Sequence, residues 1–106
     1  MTPKVRSVLG DLQTKLGELY GERLVRLVLF GSQARGDAGP DSDIDVMVVL
    51  SGEVSPFEEI ERGGRVTAAV SLDHDVTIST VYVSQTRYER EAGALLKNVR
   101  AEGVSV

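Results

Sequence analysis

Residues 24–50, LVRLVLFGSQARGDAGPDSDIDVMVVL, contain two short apolar runs separated by a polar loop. The runs Leu24–Phe30 and Ile44–Leu50 are rich in Val and Leu, and their lengths favour buried strands over helices. Residues 31–42 between them include three glycines, a proline and two aspartates, which is typical of a loop. The stretch therefore predicts a strand, a loop and a second strand.

A helix is predicted before this stretch. Thr2 would cap it, and Pro3 would occupy its first turn, where the missing N–H is not needed. Gly21 would end it. Apolar residues recur at helical spacing and predict one buried face, formed by Val5, Val8, Leu9, Leu12, Leu16 and Leu19.

A second helix is predicted after the second strand. Ser55-Pro56-Phe57-Glu58 resembles a capping box with proline at the first helical position, and the helix should reach about Leu72. Gly63 and Gly64 lie inside it. Each glycine costs about 1 kcal/mol relative to alanine in a helix, so we expect a kink or a break there.

The remaining chain predicts one more strand and a final helix. The β-branched residues of Val76–Val83 indicate a strand, after which Ser84 would cap a short helix. Glu91–Glu102 reads as the last helix, with Gly103 as its stop. The order predicts a small α/β (α+β) domain, with a mixed sheet flanked by helices, that spans residues 1–106 as one unit.

Composition excludes several classes of protein. The chain has no cysteine, so disulfides and thiolate metal sites are impossible. A net charge of −4 argues against a broad nucleic-acid-binding surface. Neither a signal peptide nor a run of about 20 apolar residues is visible, so we expect a cytoplasmic protein without a membrane span.

Two carboxylates mark the start of the second strand. Asp43 and Asp45 are two residues apart, and side chains alternate along a strand, so both should point to the same face. Their repulsion favours a cation between them, and hard oxygen ligands suit Mg²⁺. Taken alone, the pair would more often reflect turn chemistry before a strand.

Gly31 and Ser32 directly follow the first strand and strengthen the functional interpretation. Glycine lets backbone N–H groups approach a phosphate, and the serine hydroxyl can donate to a phosphate oxygen. If Ser32 begins a helix, its N-terminus would also favour an anion. The alternative is a plain turn with a serine cap.

Arg35 and Ser42 lie in the same loop, and each has two interpretations. The planar guanidinium of Arg35 could bind a phosphate, or it could pair with Asp37 or Asp41. Ser42 could contact the nucleotide, or merely cap and shape the entry to the acidic strand.

Two segments together resemble a known signature. Gly31-Ser32-Gln33-Ala34-Arg35-Gly36, followed by Ser42-Asp43-Ile44-Asp45-Val46, is similar to the core motif of the DNA polymerase β-like nucleotidyltransferases. More narrowly, it resembles the minimal nucleotidyltransferase (MNT) family of prokaryotic toxin–antitoxin pairs. The match covers residues 31–46, and the order of elements extends it to most of the chain.

The resemblance implies a catalytic site for nucleotidyl transfer. Two Mg²⁺ ions would bind Asp43 and Asp45, and ATP would be the substrate. The family also implies a third carboxylate on a neighbouring strand, for which Asp73 and Asp75 compete; we favour Asp75, as metal ligand and as acceptor of the attacking hydroxyl's proton. His74, between them, is given no role.

The resemblance also implies the phosphate contacts and the partner. Gly31 and Ser32 would hold the β- and γ-phosphates. The chain leaves little wall for a second substrate pocket, so the acceptor is expected on another protein, a HEPN-domain toxin that would be AMPylated on a tyrosine. The alternatives are an antitoxin that acts by binding alone, and transfer to a small molecule such as an aminoglycoside.

Overall fold

The computed structural model describes residues 1–39 and 41–106. The helices are α1 (Pro3–Tyr20), α2 (Ser32–Arg35), α3 (Pro56–His74), α4 (Gln85–Arg90) and α5 (Ala94–Glu102), with a 3₁₀ turn at Gly21–Arg23. The strands are β1 (Leu24–Phe30), β2 (Ile44–Leu50), β3 (Ile78–Ser84) and β4 (Val104–Ser105).

The strands form one mixed sheet in the order β3-β2-β1-β4. The central strand β2 runs parallel to β3 and antiparallel to β1, and β4 pairs antiparallel with the other edge of β1. The predicted fold class, a mixed sheet flanked by helices, is confirmed.

Apolar side chains bury both faces of the sheet. Alternate residues of β2, from Ile44 to Leu50, face one cluster that contains the apolar side of α1 and Val70 of α3. The residues between them, Met47 and Val49, face a second cluster built with Tyr88 of α4 and the apolar residues of α5. Because side chains alternate along a strand, Asp43 and Asp45 share the face of Met47, on the side of α4 and α5.

The first helix and the first two strands have the predicted bounds, with one error in the buried face. Leu19 was expected in the core, but it is 40% exposed. Tyr20 is buried in its place. Tyr20 follows Leu16 by four residues and therefore lies on the same helical face.

The third helix starts at Pro56 as predicted, but two expectations about it are wrong. The Ser55 side chain makes no capping hydrogen bond, so the capping box does not form. The helix also runs through Gly63 and Gly64 without interruption, so the expected break is absent. Gly63 is required there because a Cβ atom would collide with the Tyr82 hydroxyl of β3. Tertiary packing thus offsets the low helix propensity of glycine.

The segment around the third strand departs most from the prediction. The third helix extends to His74, and Asp75 adopts a left-handed conformation (φ 53°) as its C-cap. The strand therefore begins at Ile78 rather than at residue 76. Ser84 caps α4 as predicted, since its Oγ accepts from the Arg87 N–H at 3.1 Å.

The C-terminal part adds one element that the sequence did not indicate. The last helix begins at Ala94 rather than Glu91, because α4 and an extended segment occupy the residues before it. Past Gly103, Val104–Ser105 adds a short strand to β1. Of the helices in the described ranges, none has the length and apolar character that crossing a membrane requires.

Candidate active site

The two carboxylates lie at the open end of the central strand. Asp43 precedes β2 and is exposed, whereas Asp45 is the second residue of β2 and is partly buried. In the sheet, Asp45 pairs with Phe30 of β1 on one side and with Ser79 of β3 on the other. The structure therefore fixes the backbone of Asp45 from both sides.

The electrostatic environment of Asp45 disfavours its charge. Burial raises the pKa of the Asp45 carboxyl, the charge of Asp43 raises it further, and the charge of Arg35 opposes both. Over residues 1–39 and 41–106, neither Asp43 nor Asp45 forms a side-chain hydrogen bond or an ion pair. A bound cation would relieve both unfavourable terms.

Gly31 shapes the wall against which Asp45 lies. It has a φ of 72°, and a Cβ atom at this position would stand 2.5 Å from Asp45 Oδ2. Glycine is thus required twice here, for the backbone conformation and for the space that the carboxylate occupies. This contact joins the predicted phosphate loop to the predicted metal ligand.

The loop that follows is a single helical turn between two glycines. Ser32 begins α2, which is only four residues long and ends at Gly36 in a left-handed conformation (φ 81°). The Gly31 carbonyl accepts from the N–H groups of Ala34 and Arg35, both at 3.1 Å. Ser32 does begin a helix, which was the condition for an anion-binding N-terminus, although one turn carries little of a helix dipole.

Arg35 is engaged in ion pairs in this structure. Its Nε lies 3.2 Å from Asp37 Oδ2, and an Nη atom lies 3.9 Å from Glu102 Oε2 on α5. The interpretation that it pairs with Asp37 is therefore correct for this state. Its side chain is still about half exposed and close enough to Asp45 to lower the pKa of that carboxyl.

Ser42 shapes the entry to the acidic strand. Its Oγ accepts from the Gly39 N–H at 2.9 Å, and its own N–H donates to the Gly39 carbonyl at 3.2 Å. Gln33 donates from Nε2 to the Ser42 carbonyl at 3.3 Å and so ties this turn to α2. Gln33 was not among the predicted site residues; only its place inside the motif could have drawn attention to it.

The structure does not bring the predicted third carboxylate to the pair. Asp73 lies within α3 and Asp75 is its C-cap, so neither lies on the neighbouring strand where the third carboxylate was expected. Asp75 instead lines a cleft of about 740 Å³ together with Ser42, Gln33 and other residues. Within the described ranges, no three Asp, Glu or His side chains are grouped to hold one metal ion. Its assignment as a metal ligand stays a prediction.

Hydroxyl side chains lie where a third ligand on β3 would be closest. Ser79 is the partner of Asp45 in the parallel register. Thr77 directly precedes the Ile44–Ile78 pair, and its carbonyl accepts from the Ile44 N–H at 2.9 Å, which places it beside Asp43. Paired positions of neighbouring strands share a face.

The residues present fit a divalent cation through two ligands. Two carboxylates on one strand face, one of them partly buried with a raised pKa, form a donor set of hard oxygens. Such a set leaves positions on the ion for other oxygen ligands, as Mg²⁺ sites in phosphate-binding enzymes do.

A different cluster occupies the opposite end of the sheet. A cleft of about 950 Å³ lies there, around Ser51–Ser55, and contains none of the predicted site residues. Glu59, one of its charged residues, is buried, and its carboxylate accepts hydrogen bonds from the Tyr20 hydroxyl at 3.0 Å and from Arg62 at 3.1 Å. Arg23 lies 3.8 Å from the same carboxylate.

Fold and site together define a nucleotidyltransferase. The chain belongs to the nucleotidyltransferase domain family, whose sequence profile matches residues 9–100. It is 26% identical over 83 residues to MJ0141 of Methanocaldococcus jannaschii, a candidate protein adenylyltransferase, covering 78% of this chain and 83% of the relative. The resemblance found in the motif is thereby confirmed, and the chain is a nucleotidyltransferase enzyme.

Two solved structures share the fold. A toxin–antitoxin complex with AMP-PNP superposes with a TM-score of 0.65 at 17% identity, covering 98% of this chain and 72% of that one. A candidate minimal nucleotidyltransferase superposes with a TM-score of 0.61 at 24% identity, covering 96% of this chain and 95% of that one.

Proposed function

We propose that this chain is a magnesium-dependent protein adenylyltransferase that transfers AMP from ATP to a hydroxyl group of a partner protein. The observation that carries the proposal is the pair Asp43 and Asp45 at the start of β2, of which Asp45 lies against Gly31 and neither forms an ion pair within residues 1–39 and 41–106. A charged pair in this state is costly unless the site binds cations with its substrate.

The carboxylates would hold Mg²⁺, which when bound would neutralise the triphosphate and the charge that develops on the leaving oxygens. Asp45 is the more constrained ligand, because strands on both sides fix its backbone. Asp43 is exposed at the strand entry and can adjust to the substrate.

The loop Gly31–Gly36 would bind the β- and γ-phosphates. Gly31 brings backbone close to the carboxylates, and Ser32 adds a hydroxyl donor at the start of the turn. Arg35 would exchange Asp37 for a phosphate oxygen, because its guanidinium is half exposed and close to Asp45. Ser42 and Gln33 would keep the loop and the acidic strand in fixed positions.

The transfer itself forms one bond and breaks another. The acceptor oxygen attacks the α-phosphorus, the bond from that phosphorus to the bridging β-oxygen breaks, and pyrophosphate leaves with the bonding electron pair. The acceptor's proton passes to a carboxylate or to water. Asp75 lines the same cleft as Ser42, which keeps it our candidate for contact with the acceptor.

We propose a HEPN-domain toxin as the acceptor, modified on a tyrosine. Two comparisons support a protein acceptor of this kind: the relative MJ0141 is a candidate protein adenylyltransferase, and the AMP-PNP complex with the same fold is a toxin–antitoxin pair. The motif resemblance to the MNT family supports the HEPN class specifically.

The test is transfer of label. Incubation with α-labelled ATP and Mg²⁺ should label the product of the neighbouring gene, and Asp43→Asn and Asp45→Asn should each abolish the label while both variants stay folded. Glu58→Gln, which removes an exposed charge on α3, is the matched control and should transfer normally. Transfer retained in both Asn variants contradicts the assignment; tight binding of the neighbour without label supports an antitoxin that acts by binding alone.

A further inference from the structure

One face of α3 carries large apolar side chains that the protein itself leaves uncovered. Phe57, Ile60 and Leu72 are 72%, 55% and 82% exposed. They lie on the side of the helix away from Gly63 and Val70, which face the core. We call this surface the apolar ridge of α3; it consists of Phe57, Ile60, Gly64, Ala68 and Leu72, which follow each other at spacings of three or four residues.

Gly64 at the middle of the ridge has no function inside one copy of the chain. Gly63 is required by the Tyr82 hydroxyl, but a Cβ atom on Gly64 would meet nothing within 4 Å. Its φ is negative, so no special backbone conformation requires glycine either. At the centre of an exposed apolar surface, a glycine leaves room for another backbone to approach closely.

We propose that the apolar ridge is a self-association surface, on which a second copy of this chain docks its own α3 in antiparallel orientation. The order of side-chain sizes is self-complementary around Gly64. With the two-fold axis at that residue, Ile60 of one copy faces Ala68 of the other, and Phe57 faces Leu72. A two-fold interface uses the same patch on both copies, so each contact occurs twice.

The charges beside the ridge fit the same arrangement. Glu61 and Arg65 are exposed on the flank of the ridge, and within the described ranges neither takes part in an ion pair. An antiparallel docking centred near Gly64 brings Glu61 of each copy within side-chain reach of Arg65 of the other. The charges on the flank of one ridge are thus complementary to those of a second copy, which favours self-association over an unrelated partner.

The surface is small, which sets the expected affinity. From Phe57 to Leu72 the ridge spans about 22 Å at 1.5 Å per residue. One helix pair buries less than the roughly 800 Å² per partner of a standard interface, so we expect a micromolar dimer. The acid pair lies on the other face of the sheet and stays open, so this inference does not depend on the proposed function.

Sedimentation velocity over a concentration series tests the ridge. The wild-type chain should shift from monomer to dimer, and Leu72→Glu should abolish the shift. Leu95→Glu, on α5 and also exposed, is the matched control and should dimerise normally. Gly64→Gln should weaken the dimer at least about tenfold while raising the melting temperature by about 4–8 °C, because glutamine favours the helix. Because the melting temperature should rise while the dimer affinity falls, misfolding would be excluded as the cause of the weaker dimer.

Charge exchange distinguishes a second copy from another partner. Glu61→Arg alone and Arg65→Glu alone should each dimerise more weakly, because like charges then meet across the axis. Mixing the two variants should restore the dimer, since each copy supplies the missing sign. A wild-type chain that stays monomeric throughout, or a Leu72→Glu variant that loses only binding to the neighbouring gene's product, overturns the proposal.

Discussion

Two groups of acidic side chains lie at opposite ends of the sheet and differ in how they are satisfied. Glu59 is buried, with a side chain only 3% exposed, and has a tyrosine hydroxyl and an arginine within 3.1 Å. Asp45 is less buried, yet in residues 1–39 and 41–106 it has no such partner and its pKa is raised. The protein supplies the counter-charge where a carboxylate supports the fold and leaves it out where a carboxylate is available to a ligand.

The largest effect should come from removing the charge of Asp45. Asp45→Asn should reduce nucleotidyl transfer by at least about 10²-fold, because transition-state charge is no longer stabilised. The same variant should be more stable than the wild type at neutral pH. The measurements are labelled transfer and thermal unfolding of both proteins across pH.

The sign of the pH effect follows from the raised pKa. Between the unfolded and folded pKa values, the folded wild type binds more protons than the unfolded chain, so its stability falls as pH rises through that window. Asparagine removes the penalty, and the difference should close as pH falls below the ordinary value of 3.8. Mg²⁺ should stabilise the wild type and not the variant. An Asn variant less stable than the wild type at neutral pH would contradict this account.

Glu59 should show the reverse behaviour. Glu59→Gln should destabilise the fold by about 2–3 kcal/mol, because the Arg62 and Arg23 charges lose their buried partner. Transfer measured below the melting temperature should be unchanged. Denaturant unfolding checks the first result, with exposed Glu58→Gln as a control expected within about 0.5 kcal/mol of the wild type. Equal destabilisation by both substitutions would show that burial of Glu59 is not the cause.

Substitutions of two glycines, Gly31 beside Asp45 and Gly63 on the helix of Glu59, should separate effects on activity from effects on stability. Gly31→Ala strains a positive φ and pushes a Cβ atom against Asp45, so transfer should drop at least about tenfold. Gly63→Ala should mainly cost stability, by about 1–3 kcal/mol, because it displaces the Tyr82 hydroxyl. Gly10→Ala, with open space around it, is the control and should be neutral or stabilising. A loss of activity in fully folded Gly63→Ala would contradict the prediction that this glycine affects stability alone.

The smallest effect concerns the third ligand. Thr77→Asp places a carboxylate beside Asp43 in the sheet and should tighten Mn²⁺ binding by about tenfold, as measured by calorimetry without nucleotide. Asp75→Asn in the same assay tests the assignment of Asp75 as a metal ligand, which stays a prediction although Asp75 lies off the strand. A clear loss of metal affinity would support that assignment, and an unchanged affinity would contradict it.

Much of the fold follows from local patterns. The first helix and the first two strands have their predicted bounds because each is a single apolar pattern with a clear stop. The region after Val70 was predicted less well. α3 continues to His74, whose Nε2 lies 3.2 Å from Asp11 of α1, and no local pattern could reveal that contact.

The site divides in the same way. The set Gly31, Ser32, Asp43 and Asp45 could be predicted as a site because its residues are close in sequence and their spacing is characteristic. Asp75 was preferred over Asp73 from the resemblance of Asp75-Val76-Thr77-Ile78 to the family's third motif, on the expectation of a strand that in fact starts at Ile78. Because α3 extends to His74 and β3 starts only at Ile78, Asp75 belongs to the cap of the helix and not to the strand.

The amino-acid order alone therefore determined the acidic strand and the family and predicted the phosphate loop, because each depends on short spacings and on backbone chemistry that glycine and aspartate impose locally. The folded arrangement settled which carboxylates are compensated, which of two adjacent glycines is required, and what stands beside Asp43 on the neighbouring strand. Those properties depend on contacts between residues far apart in the chain, and burial and strand register, which create them, exist only in three dimensions.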